Sequence, residues 1–241
     1  MNLPNAQRLY EVINATWPTM AVEKYEGWNI RNGAGGGKRV SAATLAQSAL
    51  ADIGLAEAAM CRLDQQKLFM VRDGEQVLDI SLEARGYHFI DPVTLYVCEN
   101  ELLVPDKIPI AQSYAIWEPV HAMLEIWTAG GINENQVSLM YRVNGRKTGL
   151  LARAADTPAG TAFVAIDGDI AMIHSVEVLK CYRRQGVGKK LMERAAKWAK
   201  SHGAKYMSLV TPKQNKAANT LYQSMGMQAA GTYHYRIKDM P

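Results

Sequence analysis

The chain has 241 residues, 27 Lys/Arg against 23 Asp/Glu and a formal net charge of +4, and its 48% hydrophobic and 21% charged content excludes a disordered or fibrous chain. Three widely spaced cysteines, Cys61, Cys98 and Cys181, form no CxxC pair and so argue against both a disulfide framework and a zinc site, while no run approaches the ~18 apolar residues of a membrane span. Met1–Tyr10 lacks a basic start leading into an apolar core, so a cytoplasmic protein with no metal and no membrane partner is expected.

The first feature in chain order is WNIRNGAGGGKRVSAAT, from Trp28. Gly33, Gly35, Gly36 and Gly37 precede Lys38 as in a phosphate-binding loop, but Arg39 stands where that loop needs Ser or Thr for magnesium, so a P-loop is rejected. The stretch reads as a flexible hairpin or strand-to-strand loop. A secondary reading has Lys38 and Arg39 closing on an acidic acceptor. Ala43–Leu63 carries a helical pattern, and from Leu68 an apolar strand, a polar turn, an amphipathic helix, Gly86 and a second strand are predicted. Pro105 and Pro109 mark a seam that divides the chain into residues 1–106 and 107–241. Beyond it, WEPVHAMLEIWTAGG predicts a helix over 117–131. Its Trp117, Glu118, Glu125 and Trp127 either meet a cationic substrate or pack, and packing is favoured for both tryptophans.

From Thr161 the elements become sharper. TAFVAIDGDIAMIHSVEV predicts two strands joined by an Asp167-Gly168 turn. After Arg184 the positions Val187, Leu191, Ala195 and Trp198 recur at helical spacing until Gly203 closes the helix. A strand at Tyr206–Val210, a helix from Asn215 to Gly226 and a strand at about Gln228–Ile237 complete an α/β layer with at least one parallel crossover. The segment from Leu68 repeats this ending 140 positions earlier, with Gly86 falling on Gly226. The first half is therefore read as a divergent second copy that completes the sheet, covers a substrate cleft or mediates subunit pairing.

The chemistry concentrates after the second strand of that hairpin. Between Lys180 and Gln223 there are eleven Lys/Arg and one acid, Glu193, so this stretch is +10 and the remainder −6. A nucleic-acid site is the least favoured reading of this charge, because Gly186 and Gly188 sit at the start of a helix inside it. Unpaired backbone N–H groups and the helix dipole favour an anion there, glycine lets it approach the main chain, and Arg183, Arg184, Lys189 and Lys190 attract it.

Arg183-x-x-Gly186-x-Gly188 after an apolar strand resembles the coenzyme A pyrophosphate loop of GNAT-type N-acetyltransferases. The family's second motif follows at the expected distance in Asn215, Ala218, Leu221-Tyr222 and Gly226, with Met227 in place of the usual Phe. The resemblance covers about Ile108 to Lys238. It implies an α/β fold of the GNAT type, a mixed sheet with a splayed parallel strand pair flanked by helices, plus a divergent GNAT-like N-terminal domain. It also implies acetyl-CoA as cosubstrate, a small-molecule or peptide amine as acceptor, and direct attack of the amine on the thioester. The pantetheine arm would lie along the backbone of Val176, Glu177 and Val178, the Val178 N–H polarising the thioester carbonyl. Arg183, Arg184, Gln185, Gly186, Val187, Gly188 and Lys189 would hold the pyrophosphate. Asn215 would touch the pantetheine, or serve as a helix cap.

The Tyr222 hydroxyl stands where the family's general acid protonates the departing thiolate. Glu177 and His174 are both candidates for a base, and Glu177 is preferred. Alternating strand geometry expects the two on opposite faces. Leu82 stands where Tyr222 does in the repeat and Glu75 where Asn215 does, so the first half is expected to lack the coenzyme residues. The alternative to an enzyme is a coenzyme A-binding regulatory or scaffold protein with no turnover. A homodimer fits either reading.

Overall fold

The computed structural model describes residues 2–46, 51–107 and 112–238. In chain order these form α1 (Ala6–Thr16), β1 (Ala21–Tyr25), β2 (Trp28–Asn32), α2 (Lys38–Ser41), β3 (Thr44–Leu45), α3 (Ile53–Arg62), β4 (Lys67–Arg72), α4 (Gln76–Ala84) and β5 (His88–Glu99). There follow β6 (Ser113–Ile116), α5 (His121–Ala129), α6 (Glu134–Arg142), β7 (Lys147–Ala154), β8 (Thr157–Asp167), β9 (Ile170–Val178), α7 (Val187–Ser201), β10 (Tyr206–Pro212), α8 (Lys216–Ser224) and β11 (Gln228–Lys238). Among the described residues β1–β2–β3 make a small sheet, and a large one runs β4-β11-β5-β10-β9-β8-β7-β6.

The amphipathic stripe of α7 explains where the later half keeps its core. Val187, Leu191, Met192, Ala195, Ala196 and Ala199 are buried against Leu150, Ala162, Val164, Ile173, Met207 and Leu209 of the sheet. The alanines bring the helix close, and burying a leucine such as Leu191 contributes about 2 kcal/mol. On the opposite face Met123, Ile126 and Trp127 of α5 and Leu139 and Met140 of α6 cover Phe163 and Ala165. Helix α1 lays Leu9, Val12 and Ile13 over Leu95, Met172 and Tyr233 beside them.

The repeat seen in the sequence is present in the backbone. Helix α8 begins and ends 140 positions after α4, and Gly86 and Gly226, which close them, have φ of +81° and +83°. The strands that follow cross between halves: β5 lies between β11 and β10, and β11 between β4 and β5. Their registers obey one internal twofold. Moving each residue of the pair Gln228↔Val97 by 140 positions gives Ile237↔His88, which is also a pair of that ladder. The same operation turns the β10/β5 ladder into the β11/β4 ladder: Met207↔Cys98 corresponds to Lys238↔Lys67, and Pro212↔Val93 to Tyr233↔Arg72.

Three local expectations are corrected. The Ala43–Leu63 helix is confined to Ile53–Arg62, because Thr44 and Leu45 pair with β2 instead; 47–50 lie outside the described residues. The glycine stretch after Asn32 is a strand-to-helix turn rather than a link between strands. Gly35 lies so close to Asn135, and Gly36 to Val40 and Leu139, that a side chain at either would collide. The helix expected over 117–131 spans His121–Ala129. Of the two prolines at the proposed seam, Pro109 falls outside the described residues.

Candidate active site

Strands β9 and β10 are parallel neighbours, and their pairing runs from Tyr206↔Ile170 to Leu209↔Ile173 and stops. β9 continues five residues further, to Val178, held only by β8 on its other side. The two strands therefore splay, leaving one edge of residues 174–178 facing a gap. Leu179 N–H donates to the Ala159 carbonyl at 3.0 Å, so the polar backbone groups of Leu179 point toward β8. Those of Val178, one residue earlier, point the other way, into the gap, and alternation gives Val176 the same direction.

A bulge sits in the middle of this edge. The register shifts between Phe163↔His174 and Thr161↔Glu177, leaving one extra residue on β9, and Ser175 takes a left-handed φ of +49°. Trp127 of α5 donates its indole N–H to the Ser175 carbonyl at 2.9 Å. The bulge overturns the expected separation of His174 and Glu177: pairing with Phe163 and Thr161, two residues apart on β8, puts both on the same face.

Only one of them is free to act. The Thr16 hydroxyl donates to the Val12 carbonyl at 2.6 Å, so its oxygen accepts from His174 Nε2–H at 2.9 Å. Arg39 donates to Nδ1 at 3.4 Å and Trp17 stacks on the ring. Both nitrogens are engaged, and burial, with Arg39 adding to it, holds the imidazole well below its ordinary pKa. His174 is thus a neutral packing group. A lowered folded-state pKa makes the unfolded chain the stronger proton binder below about pH 6.5. Stability is therefore expected to be intact above that pH and to fall on acidification by up to about 1.4 kcal/mol per pH unit. Urea titrations of wild type and His174→Asn across that window check this, the variant losing that slope.

Glu177 is half-buried, and burial raises its carboxyl above the ordinary range although Arg183 opposes the shift. Its side chain occupies space that only glycine leaves open. A Cβ on Gly130, at the end of α5, would come within 2.5 Å of Glu177 Cδ. Nothing in the sequence pattern singled out Gly130, whose importance depends on a contact across 47 positions. Tyr222 on α8 is 6% exposed and packs beside Tyr96, with ring centroids 6.1 Å apart. Burial, with Glu177 adding to it, pushes its phenol up to about 12, so it keeps its proton throughout the neutral range.

After β9 the chain makes one 3-10 turn, Lys180–Tyr182, and enters α7 through two left-handed residues, Arg184 at φ +64° and Gly186 at φ +76°. Among the described residues the N–H groups of Arg184, Gln185, Gly186, Val187, Gly188 and Lys189 have no hydrogen-bond partner, and the first bond of the helix is Lys190 N–H to the Gly186 carbonyl at 3.0 Å. Arg183 closes the turn from behind, its Nε donating to the Val178 carbonyl at 3.1 Å. The loop side chains from Arg183 to Gln185 are exposed. A Cβ at Gly186 would meet nothing within 4 Å, so glycine is required there by φ. At Gly188 a Cβ would meet Leu221 Cδ2 at 3.1 Å, so there glycine lets α7 and α8 close. Asn215 caps α8, its side chain accepting from Ala218 N–H at 3.2 Å.

Residues 116–227 match the model of the acetyltransferase (GNAT) family. This chain carries a GNAT-family acetyltransferase domain. Over 82 residues it is 37% identical to an uncharacterized N-acetyltransferase, YobR, of Bacillus subtilis, covering 34% of this chain and 32% of that protein, so the match spans about a third of the curated relative's length. A GCN5-related N-acetyltransferase from Kribbella flavida shares the fold over 98% of this chain and 96% of its own, with a TM-score of 0.75 at 18% identity. A tandem GNAT protein from the clavulanic acid biosynthesis pathway matches 82% of this chain and 74% of its own with a TM-score of 0.56 at 14% identity. The bulged, splayed β9 and the open turn into α7 belong to this GNAT domain. The described residues contain no helix long and apolar enough to cross a membrane and no cluster of three or more His, Cys, Asp or Glu placed to hold a metal ion.

Proposed function

We propose that the protein transfers an acetyl group from acetyl-CoA to a primary amine by direct attack in a ternary complex. The observation that carries this reading is the unbroken run of unpartnered N–H groups from Arg184 to Lys189, opening beside the splayed end of β9. Six unpaired donors at a helix start, flanked by Arg183, Arg184 and Lys189, suit a diphosphate. Val176 offers its gap-facing backbone groups to the pantetheine amides and Asn215 touches the arm, while the Val178 carbonyl is held by Arg183 and its N–H is left for the thioester. The Val178 N–H donates to the thioester oxygen as charge develops on it. Glu177, with its raised pKa, removes the proton from the attacking ammonium, directly or through water. Tyr222, protonated at neutral pH, gives its proton to the departing sulfur.

The deciding measurement is thiol release from acetyl-CoA with a panel of amines. Amine-dependent release supports the reading; coenzyme binding with no release from any amine would leave a binding or regulatory protein instead. Gly130 supplies a second check. Alanine fits the helical-side φ of −85° at this position without strain, but its methyl displaces the Glu177 carboxyl. Gly130→Ala is therefore expected to leave the melting temperature unchanged or slightly raised, while kcat/KM falls about 10–100-fold, the scale of a misplaced catalytic group.

The first half, residues 1–106, is read as a divergent copy of the GNAT unit in 107–241. The internal twofold of the β5/β11 ladder supports it. At the positions equivalent to Asn215 and Tyr222 it has Glu75, whose carboxylate is bound by Arg72, and the buried Leu82. Neither offers the chemistry of its counterpart.

A further inference from the structure

Among the described residues two arginines of the first half, Arg31 buried and Arg39 partly buried, have no counter-charge. Arg31 on β2 is 7% exposed, and its Nη1 and Nη2 donate to the Arg39 carbonyl at 3.1 Å and the Thr44 hydroxyl at 3.4 Å. Arg39 on α2 reaches His174 Nδ1 through Nη1, while its Nε is buried with no partner. Among the described residues neither guanidinium has a carboxylate within salt-bridge distance. The other titratable groups facing the pair are Arg72, a further cation, the phenols of Tyr233 and Tyr235, and His174. Burial pushes the Tyr235 phenol well above its ordinary value, so it supplies no negative charge. The Tyr233 hydroxyl is likewise buried with no partner.

A buried, unpaired cation is among the most costly arrangements in a protein, and nature's usual remedy is an opposite charge. Here there is space for one. Both arginines line a cavity of about 250 Å³ between α1, β1, β2 and α2. The β2 alternation explains the geometry: Trp28 and Ile30 point into the core below, and Asn29 and Arg31 toward the cavity. The remaining lining combines the polar Asn14 and Thr19 with the apolar surfaces of Trp17, Val22 and Val40.

We propose that this cavity is a binding site for a small organic carboxylate, whose charge pairs with Arg31 and Arg39 while its apolar part rests on Trp17 and Val40. A bare inorganic ion would leave that apolar wall uncovered. The site is separate from the Arg184–Lys189 turn and does not rest on acetyl transfer.

The test is thermal unfolding of the full chain with benzoate as probe, against benzamide and sodium chloride at matched concentration and ionic strength. Benzoate is expected to raise the melting temperature in a saturable manner that neither control reproduces. Arg39→Met should weaken the benzoate response at least tenfold, read as the shift from the variant's own ligand-free melting temperature, because the substitution also removes the donor to His174 Nδ1. Should that variant fail to fold, Val22→Trp decides. Val22 is 51% exposed at the cavity rim and pairs with Arg31 across β1 and β2, so the larger side chain fills the mouth beside that guanidinium, and the benzoate response should vanish on an unchanged fold. The proposal is overturned by a wild-type melting temperature that does not distinguish benzoate from benzamide. A benzoate response that persists in Val22→Trp overturns it too, by placing the anion elsewhere, such as at the Arg184–Lys189 turn.

Discussion

Replacing Tyr222 by phenylalanine is expected to lower kcat by about 10²–10³-fold, the usual contribution of a positioned general acid, while leaving coenzyme affinity within about twofold. The hydroxyl makes no hydrogen bond to any described residue, so its removal strands no partner. The ring keeps its contacts beside Tyr96, and the stability change should stay below about 1 kcal/mol. The pH profile separates this role from that of Glu177. Because the phenol titrates at about 12, it contributes no limb near neutrality. Glu177 must be ionised to accept a proton, so kcat/KM should rise with pH along a limb lying above the ordinary carboxylate value of about 4.3. Tyr222→Phe should lower that whole curve without moving the limb, and Glu177→Gln should remove it. Stopped thiol release over the pH range distinguishes them, and a phenylalanine variant as active as wild type would remove Tyr222 from the mechanism.

The later half was legible because its signals are local. A glycine-rich turn between an apolar strand and a basic amphipathic helix needs only neighbours in sequence to be recognised, and α7, β10, α8 and β11 lie within a few residues of where the 3.6 and 2.0 periods put them. What escaped depended on tertiary contact. The bulge at Ser175 leaves no mark in the alternation of apolar residues, yet it rotates Glu177 onto the face of His174. The Gly130 gap arises from helix docking. The repeat was visible as a spacing of 140, but the exchange of β5 and β11 between halves was not, because either strand has the composition to pair within its own half. The unpaired Arg31 and Arg39 look in sequence like two more surface cations; the burial of Arg31 and of the Arg39 Nε makes them unusual.

Substitution of Gly186 by valine is expected to weaken coenzyme A binding by about 10²–10⁴-fold, the loss of two charge-assisted hydrogen bonds at about 1.5–3 kcal/mol each. Gly186 stands at φ +76°, a region costing an L-residue about 1–2 kcal/mol and a β-branched one more. The loop is exposed and a Cβ at Gly186 would meet nothing, so the strain is relieved by turning the local peptides rather than by unfolding the domain. That rotation re-aims the Gly186 and Val187 N–H groups, two of the unpaired donors proposed to hold the diphosphate. Gly188→Ala is the contrasting case. Its φ is not left-handed, and its methyl presses only on the flexible end of Leu221, so its effect should stay within about tenfold. Calorimetry with coenzyme A and with 3′-dephospho-coenzyme A measures both variants and confines the lost contacts to the diphosphate. Equal losses for the two glycines would show that close approach of helices, rather than the direction of the backbone donors, governs the site.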